Sequence, residues 1–412
     1  MLDPNQVFRP GQLPLDQTNV YAKRGEAEED FQKALRRGMI PLVFGEYGVG
    51  KTSMARRCVL DAEKQKRLVN IESVAGQSVS DILKRCLETI GYTITTEITT
   101  QQTESATTKV TGGVEIPFKA FKASLTGENS NTAGETALQK AQFAVSSPTD
   151  SKVIDLCEQH QLVLLLDELH KATPDFVEQI TLLIKTYANK NCKNFRIILL
   201  GTSSDASRLV RRDPGIDRLL QEIPLKAMST AESRFIIEKG MTDLKIDIEK
   251  SIADKIVKTS SGSPSLVQYL CLEIAEKAFA RAPRTASMDD FKSSLTSYVN
   301  KRARRLDDLY LKAIETFGQK RYRKQILRAM AEMDNDYVTM EQLCDSITKQ
   351  LGEDIPSTAL SGPLRQLKET TYGPVLKDVE RGEGGERVQN YTTFVDPAMK
   401  AFIRMKIAGE ET

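Results

Sequence analysis

Eight residues constrain this chain more than any others: Gly45-Glu46-Tyr47-Gly48-Val49-Gly50-Lys51-Thr52, which fit G-x-x-x-x-G-K-[ST] at every fixed position. The apolar run Ile40-Pro41-Leu42-Val43-Phe44 precedes them, and Ser53 to Leu60 follows with helical character. Strand, glycine loop and helix in that order make a cradle for phosphate. Gly45, Gly48 and Gly50 let the backbone turn and bring N–H groups close to phosphate oxygens. The helix after the loop points its partially positive N-terminus at the same anion. The segment from Gly45 through Glu46, Tyr47, Gly48, Val49, Gly50, Lys51 and Thr52 to Ser53 is therefore the expected nucleotide cradle. Lys51 reaches the β- and γ-phosphates, and the Thr52 hydroxyl ligates Mg²⁺. A chance glycine loop before a helix is the competing reading, and a partner motif downstream weighs against it.

That partner is Leu162-Val163-Leu164-Leu165-Leu166-Asp167-Glu168. Five apolar residues in a row read as a central parallel strand covered on both faces. Ligands of such sheets gather outside the carboxyl ends of the strands, where Asp167 stands. Its carboxylate is placed to hold Mg²⁺ through water. Glu168, one residue on, is placed to polarise an attacking water as general base. The pair of acids favours hydrolysis of the nucleotide over mere holding of it.

The chain has 412 residues and 40% hydrophobic content, enough for two to four domains with cores of their own. Its net charge of +2 excludes binding to a polyanion by bulk charge, so any nucleic-acid surface must be local. Six scattered cysteines without a C-x-x-C, and only His160 and His170, suggest neither a zinc site nor a disulfide framework. That fits a reducing cytoplasm. No apolar run approaches the ~18 residues needed to span a membrane, and Met1-Leu2-Asp3-Pro4-Asn5 lacks the pattern of a signal peptide.

Taken in order, residues 1–23, with prolines at 4, 10 and 14, read as an extended lead-in. A helix is expected over Glu26–Arg37, a second strand over Arg67–Ile71 and a helix over Val79–Ile90. Residues 93–150 break the pattern with serine and threonine. Alternation around Gly112-Gly113 suggests a β-ribbon over Thr107–Leu125, read either as a surface excursion or as a protrusion that touches a partner. A helix over Pro174–Ala188 precedes a buried strand, Phe195–Gly201, ending in Thr202-Ser203-Ser204-Asp205. Thr202 is the candidate there for hydrogen bonding to the γ-phosphate or the attacking water, with a plain polar turn as the alternative. Arg208, Arg211, Arg212 and Arg218 follow. Each is by default a solvated charge. Arg218, just before the strand-like Glu222–Leu225, is the one best placed to reach a neighbouring subunit's γ-phosphate.

From Ser229 the pattern is helical over Thr230–Gly240, Ile246–Ser260 and Ser265–Ala280, broken by Gly262-Ser263-Pro264, with Pro264 at a helix's first turn. Basic runs at 301–305 and 320–324 open the last stretch. Helices are expected over Arg323–Met333, Met340–Leu351 (capped by Thr339 with Gln342) and Gly362–Lys368. Strands Val375–Val379 and Val388–Val395 flank a glycine-rich tip. Three helices and a hairpin make a winged helix, whose third helix carries Arg365 and Lys368. Acids nearly balance bases here, so contact with DNA and contact with protein both stay open.

With these pieces placed, the chain resembles the AAA+ and STAND class of P-loop ATPases, and most nearly the origin-recognition-like branch with a C-terminal winged helix. Tyr21-Ala22-Lys23-Arg24-Gly25-Glu26 looks like that group's opening motif, which puts Arg24 near the nucleotide. Arg218 matches the arginine-finger position. Gly262-Ser263-Pro264 is similar to the STAND G-x-P motif, whose proline lies near the adenine. Origin-recognition ATPases usually carry a lid arginine where this chain has Ser265, a departure that pulls the reading toward STAND switches. The resemblance implies an α/β fold with a P-loop NTPase parallel sheet over 1–225, carrying the 93–150 insertion. A helical lid over 226–300 and a winged helix over 301–412 complete it. It implies ATP and Mg²⁺ as ligands and a homo-oligomer formed with nucleotide. The partner expected is double-stranded DNA or a protein effector, and the setting a mobile element or anti-phage defence.

Overall fold

The protein is described by a computed structural model covering residues 2–11, 20–46, 48–62, 66–74, 76–92, 150–171, 173–202, 214–315, 322–333, 335, 337–381, 389–396 and 398–410. The expected ribbon at 107–125 and the whole of 93–149 lie outside the described residues. The chain forms two compact units, one of residues 31–43 and 63–223, the other of 1–30, 44–62 and 224–412.

The first unit is built on a five-stranded parallel sheet of β1 (Ile40–Phe44), β2 (Arg67–Glu72), β3 (Leu162–Asp167), β4 (Arg196–Gly201) and β5 (Leu220–Pro224), in the order β2-β3-β4-β1-β5. Leu164 of β3 stands opposite Val69 on one side and Ile197 on the other, both in parallel register. All six residues of β3 are buried, which is what an uninterrupted apolar run requires of a strand with a neighbour on each side. Helices Val79–Thr89 and Pro174–Asn189 start where their sequences dictate. Ser78 and Asp81 form a reciprocal capping box for the first. Thr173 caps the second, with Pro174 in its opening turn. The start of β4 is anchored by Glu158, which accepts the backbone N–H of Asn194 at 2.8 Å and of Phe195 at 2.6 Å.

The second unit gathers helices around one hydrophobic cluster that runs from Val7 to Ile407. Thr230–Asp243, Lys250–Ser260, Pro264–Phe279 and Met288–Arg302 contribute to it, and so do Arg304–Ile314, Arg323–Glu332, Met340–Leu351 and Ala398–Glu410. The Thr339–Gln342 capping box forms as the sequence suggested. Strands β6 (Leu376–Arg381) and β7 (Gln389–Phe394) pair antiparallel, and Val338 bridges to Thr392 beside them.

Two expectations are corrected here. The lead-in is not simply extended: Asp3 caps a helical turn over Pro4–Val7, and Val7, Phe8, Val20 and Ala22 are buried. Pro4 sits at the first helical position, where its missing N–H costs nothing. The helix expected over Gly362–Lys368 spans Ser357–Gln366. Pro356 is at its cap, and Pro363 lies inside the helix.

Gly240, in the helix Thr230–Asp243, faces Phe8 so closely that a Cβ there would sit 2.2 Å from the ring. Gly240→Ala therefore forces Phe8 out of its site. It is expected to cost about 1–3 kcal/mol, read as a lowered denaturant midpoint with an unchanged slope.

Candidate functional site

The phosphate loop belongs to the second unit and is fixed at its base by backbone. The N–H of Leu225 donates to the Phe44 carbonyl at 2.7 Å. A Cβ on Gly45 would fall 2.1 Å from the Leu225 carbonyl oxygen, so no side chain fits. Gly50 turns with φ +94°, a left-handed value that glycine tolerates best. The helix Lys51–Ala62 starts directly from it, with Met54 N–H donating to the Gly50 carbonyl at 2.9 Å. Lys51 Nζ donates to the carbonyls of Gly45 and Glu46 at 3.0 and 2.9 Å, so its ammonium closes the loop on itself. Thr52 and Ser53 are half-buried in the first turn. Tyr47 lies outside the described residues.

Arg24 holds this loop from behind. It is 9% exposed. Its Nη1 donates to the Val49 carbonyl at 2.7 Å, its Nη2 to the Lys226 carbonyl at 2.5 Å, and its Nε to Glu232 at 3.1 Å. The planar fork of donors suits an arginine and no other residue. Glu28 fixes the backbone in turn, accepting the Arg24 N–H and the Tyr21 hydroxyl, each at 2.7 Å. Burial and then the charge of Glu28 push the Tyr21 phenol far up. The guanidinium thus works through the loop's main chain.

Pro264 opens the helix Pro264–Phe279, and a Cβ on Gly50 would lie 3.2 Å from its ring. The turn before it is set by Ser261 at φ 50° and Gly262 at φ 71°. A side chain on Gly262 would strike the Met228 carbonyl at 2.5 Å. Glu46 is met by a residue that nothing in the sequence singled out: the Tyr337 hydroxyl donates to its carboxylate at 2.8 Å.

The acidic pair belongs to the first unit. Asp167 ends β3, is 5% exposed, and accepts the Glu168 N–H at 2.7 Å. Ser73 N–H donates to its carbonyl at 2.9 Å and extends the ladder beyond β2. Glu168 adopts φ 58°, a left-handed conformation uncommon for a residue with a Cβ. Its carboxylate pairs with Lys171 at 3.1 Å across the 3₁₀ turn Leu169–Lys171. Thr202 is half-buried just past β4. Arg218 is exposed at the end of the turn Pro214–Leu219 that leads into β5. Ser203, Ser204, Asp205, Arg208, Arg211 and Arg212 lie outside the described residues. Among the described residues, no three of His, Cys, Asp or Glu form a metal cluster.

Removing Arg24 strips three acceptors of one shared donor group. Arg24→Ala is expected to cost about 3 kcal/mol of stability and to weaken nucleotide binding. Arg24→Lys, a single ammonium, is expected to recover little of either. Thermal melts and nucleotide titrations of the two variants check this.

Solved structures resemble the whole chain. The Walker-type ATPase Paby2304 of Pyrococcus abyssi aligns with a TM-score of 0.52 at 17% identity, over 96% of this chain and 99% of that one. Cdc6p from Pyrobaculum aerophilum aligns at 0.47 and 13% identity, over 100% and 98%. The ORC1 protein of Aeropyrum pernix, solved in complex with DNA, aligns at 0.44 and 13%, over 99% and 98%. No curated protein matches the sequence. Residues 14–345 match the family described as Novel STAND NTPase 1. The chain therefore belongs to the novel STAND NTPase 1 family, and it is a P-loop ATPase of that class.

Proposed function

We propose that this chain is an ATP-driven assembly switch. The observation that carries the reading is a phosphate loop that is complete and braced, with the Lys51 ammonium resting on the carbonyls of Gly45 and Glu46, where a phosphate would displace them. The backbone N–H groups of 45–53 bind the triphosphate, and Lys51 neutralises its β- and γ-oxygens. Pro264 lies toward the adenine, and Arg24 keeps the loop in shape. Thr52 and Asp167 would hold Mg²⁺, which supplies charge neutralisation between the β- and γ-phosphates. Glu168 takes a proton from water as its oxygen bonds to the γ-phosphorus, and the bond to the ADP oxygen breaks. Thr202 orients that water or the γ-phosphate.

The exposure of Arg218 supports a role across subunits, since an arginine that finishes a neighbour's site must be free to reach outward. ATP then favours a homo-oligomer, and hydrolysis releases it. We read 226–300 as a helical lid and 301–412 as a winged helix that engages the partner. Four of the described cations of that last segment support a protein effector over DNA. Arg305 pairs with Asp396, Lys324 with Glu410 at 3.2 Å, Arg365 with Glu369 at 3.5 Å and Lys368 with Asp378 at 2.5 Å. Phosphate binding needs cations to spare, and these already have acids beside them. Among the described residues no helix is long and apolar enough to cross a membrane. A setting in anti-phage defence or a mobile element is part of the same proposal and rests on resemblance alone.

Glu168→Gln is expected to bind ATP and to lower turnover at least about a hundredfold. Its solution mass should rise with ATP and Mg²⁺, without need of double-stranded DNA. A mass that rises only with DNA would make DNA the trigger and replace the protein-effector reading.

Arg218→Ala is expected to keep ATP affinity and to lose about a thousandfold in turnover. Mixing it with Glu168→Gln should restore part of the activity, because each variant supplies what the other lacks. No recovery on mixing, or full turnover by Arg218→Ala alone, refutes the shared site.

A further inference from the structure

The carboxylate that meets the buried guanidinium of Arg24 belongs to Glu232, in the first turn of the helix Thr230–Asp243. Glu232 uses both of its oxygens. Oε1 accepts Arg24 Nε at 3.1 Å, and Oε2 accepts the Ser229 N–H at 2.6 Å. The Glu232 N–H donates back to Ser229 Oγ at 3.2 Å, which completes the capping box of that helix. The Arg24 side chain is 6% exposed and that of Glu232 24%. The other acceptors of the guanidinium, the Val49 and Lys226 carbonyls, are neutral. Glu232 therefore supplies the negative charge that a buried arginine needs.

The Val49 carbonyl gives this pair a lever on the phosphate loop. A trans peptide directs its carbonyl and the next residue's N–H to opposite sides. With the Val49 carbonyl turned onto Arg24, the Gly50 N–H points away from the guanidinium. That N–H is one of the donors a glycine loop offers to phosphate. The start of the helix is tied on its other side to the turn before Pro264, because the Met228 N–H donates to the Gly262 carbonyl at 2.9 Å. Resting on the reading of the loop as a nucleotide cradle, we propose that Glu232 is a positioning residue for nucleotide binding, which aims the Val49–Gly50 peptide at the phosphates through Arg24. Nucleotide held by that peptide in turn steadies the first turn of Thr230–Asp243. Coupling of this kind is reciprocal: the factor by which an ordered first turn tightens nucleotide binding is the factor by which nucleotide orders the turn. The carboxylate, itself an anion, acts only through the guanidinium.

The test uses the full chain with ADP or ATP and Mg²⁺. Glu232→Gln removes the charge and can keep one of the two hydrogen bonds that the carboxylate accepts. Calorimetric titration is expected to find ADP and ATP bound about tenfold more weakly by this variant. Arg24→Ala should weaken binding as well, and adding Glu232→Gln to it should change affinity by no more than about twofold, because the path is already cut. Ser229→Ala loosens the helix cap but leaves the Glu232 carboxylate in place, so it should lower the melting temperature and keep affinity within about twofold. Wild-type affinity in a folded Glu232→Gln protein overturns the proposal. So does a further loss of about tenfold on the Arg24→Ala background. So does a loss from Ser229→Ala equal to that from Glu232→Gln, which would mark a capping defect in place of a lost link to the loop. A second measurement needs no variant: hydrogen exchange at the wild-type amides of Ser229 and Glu232 is expected to slow about tenfold with saturating ADP. Protection confined to residues 45–53 overturns the coupling, even where a variant fails to fold. A wild-type chain that binds neither ADP nor ATP refutes the nucleotide reading itself, an outcome distinct from all of these.

Discussion

The chain's central constraint is the 2.1 Å between the Leu225 carbonyl oxygen and the place where a Gly45 side chain would begin. Backbone runs against backbone there, with Leu225 N–H bonded to the Phe44 carbonyl. The phosphate loop can curl only because that contact fixes its first residue. Arg24 then fixes its middle through Val49, and the same guanidinium reaches Lys226, one residue past Leu225. Loop, strand exit and the helix Thr230–Asp243 (through Glu232) are thus bound by one buried cation. An anion site needs N–H groups held in place before the anion arrives, since ordering them afterwards would use up the binding energy. Arg24 does that ordering in advance.

The braced loop also explains the behaviour of Lys51. Its ammonium bonds two carbonyls of its own loop. These are neutral acceptors, good enough to keep the side chain in place and weaker than a charged oxygen.

The parts of the chain governed by local rules were legible from sequence. The apolar run at 162–166 had to be a covered strand, and β3 is buried throughout. Glu26–Arg37 formed with the bounds its periodicity suggested, and Thr339 capped its helix with Gln342. One helix was misplaced: Gly362–Lys368 was expected, and the helix spans Ser357–Gln366 with Pro356 at its cap. Arg24 was legible as a residue of the loop's surroundings, but its three partners, the Val49 and Lys226 carbonyls and the Glu232 carboxylate, were not. Tyr337 carried no signal at all. Its position depends on how the C-terminal helices pack, and no spacing along the chain encodes a hydrogen bond from Tyr337 to Glu46.

The two acids at the end of β3 show how adjacent residues of similar chemistry acquire different tasks. Asp167 continues the strand, so its side chain is sunk against the sheet at 5% exposure and fixed by the Glu168 N–H. Glu168 leaves the strand through a left-handed turn at φ 58°. For a residue with a Cβ that conformation costs about 1–2 kcal/mol, and it persists because its surroundings over-determine it. Its N–H is taken by Asp167, its carbonyl accepts the Lys171 N–H at 2.9 Å, and its carboxylate meets Lys171 at 3.1 Å. A glycine would relieve the backbone and abolish the carboxylate. The left-handed turn carries the second acid out of the sheet, half-buried, while the first stays buried. Under the proposed function, that separation suits one acid to hold a cation and the other to move a proton.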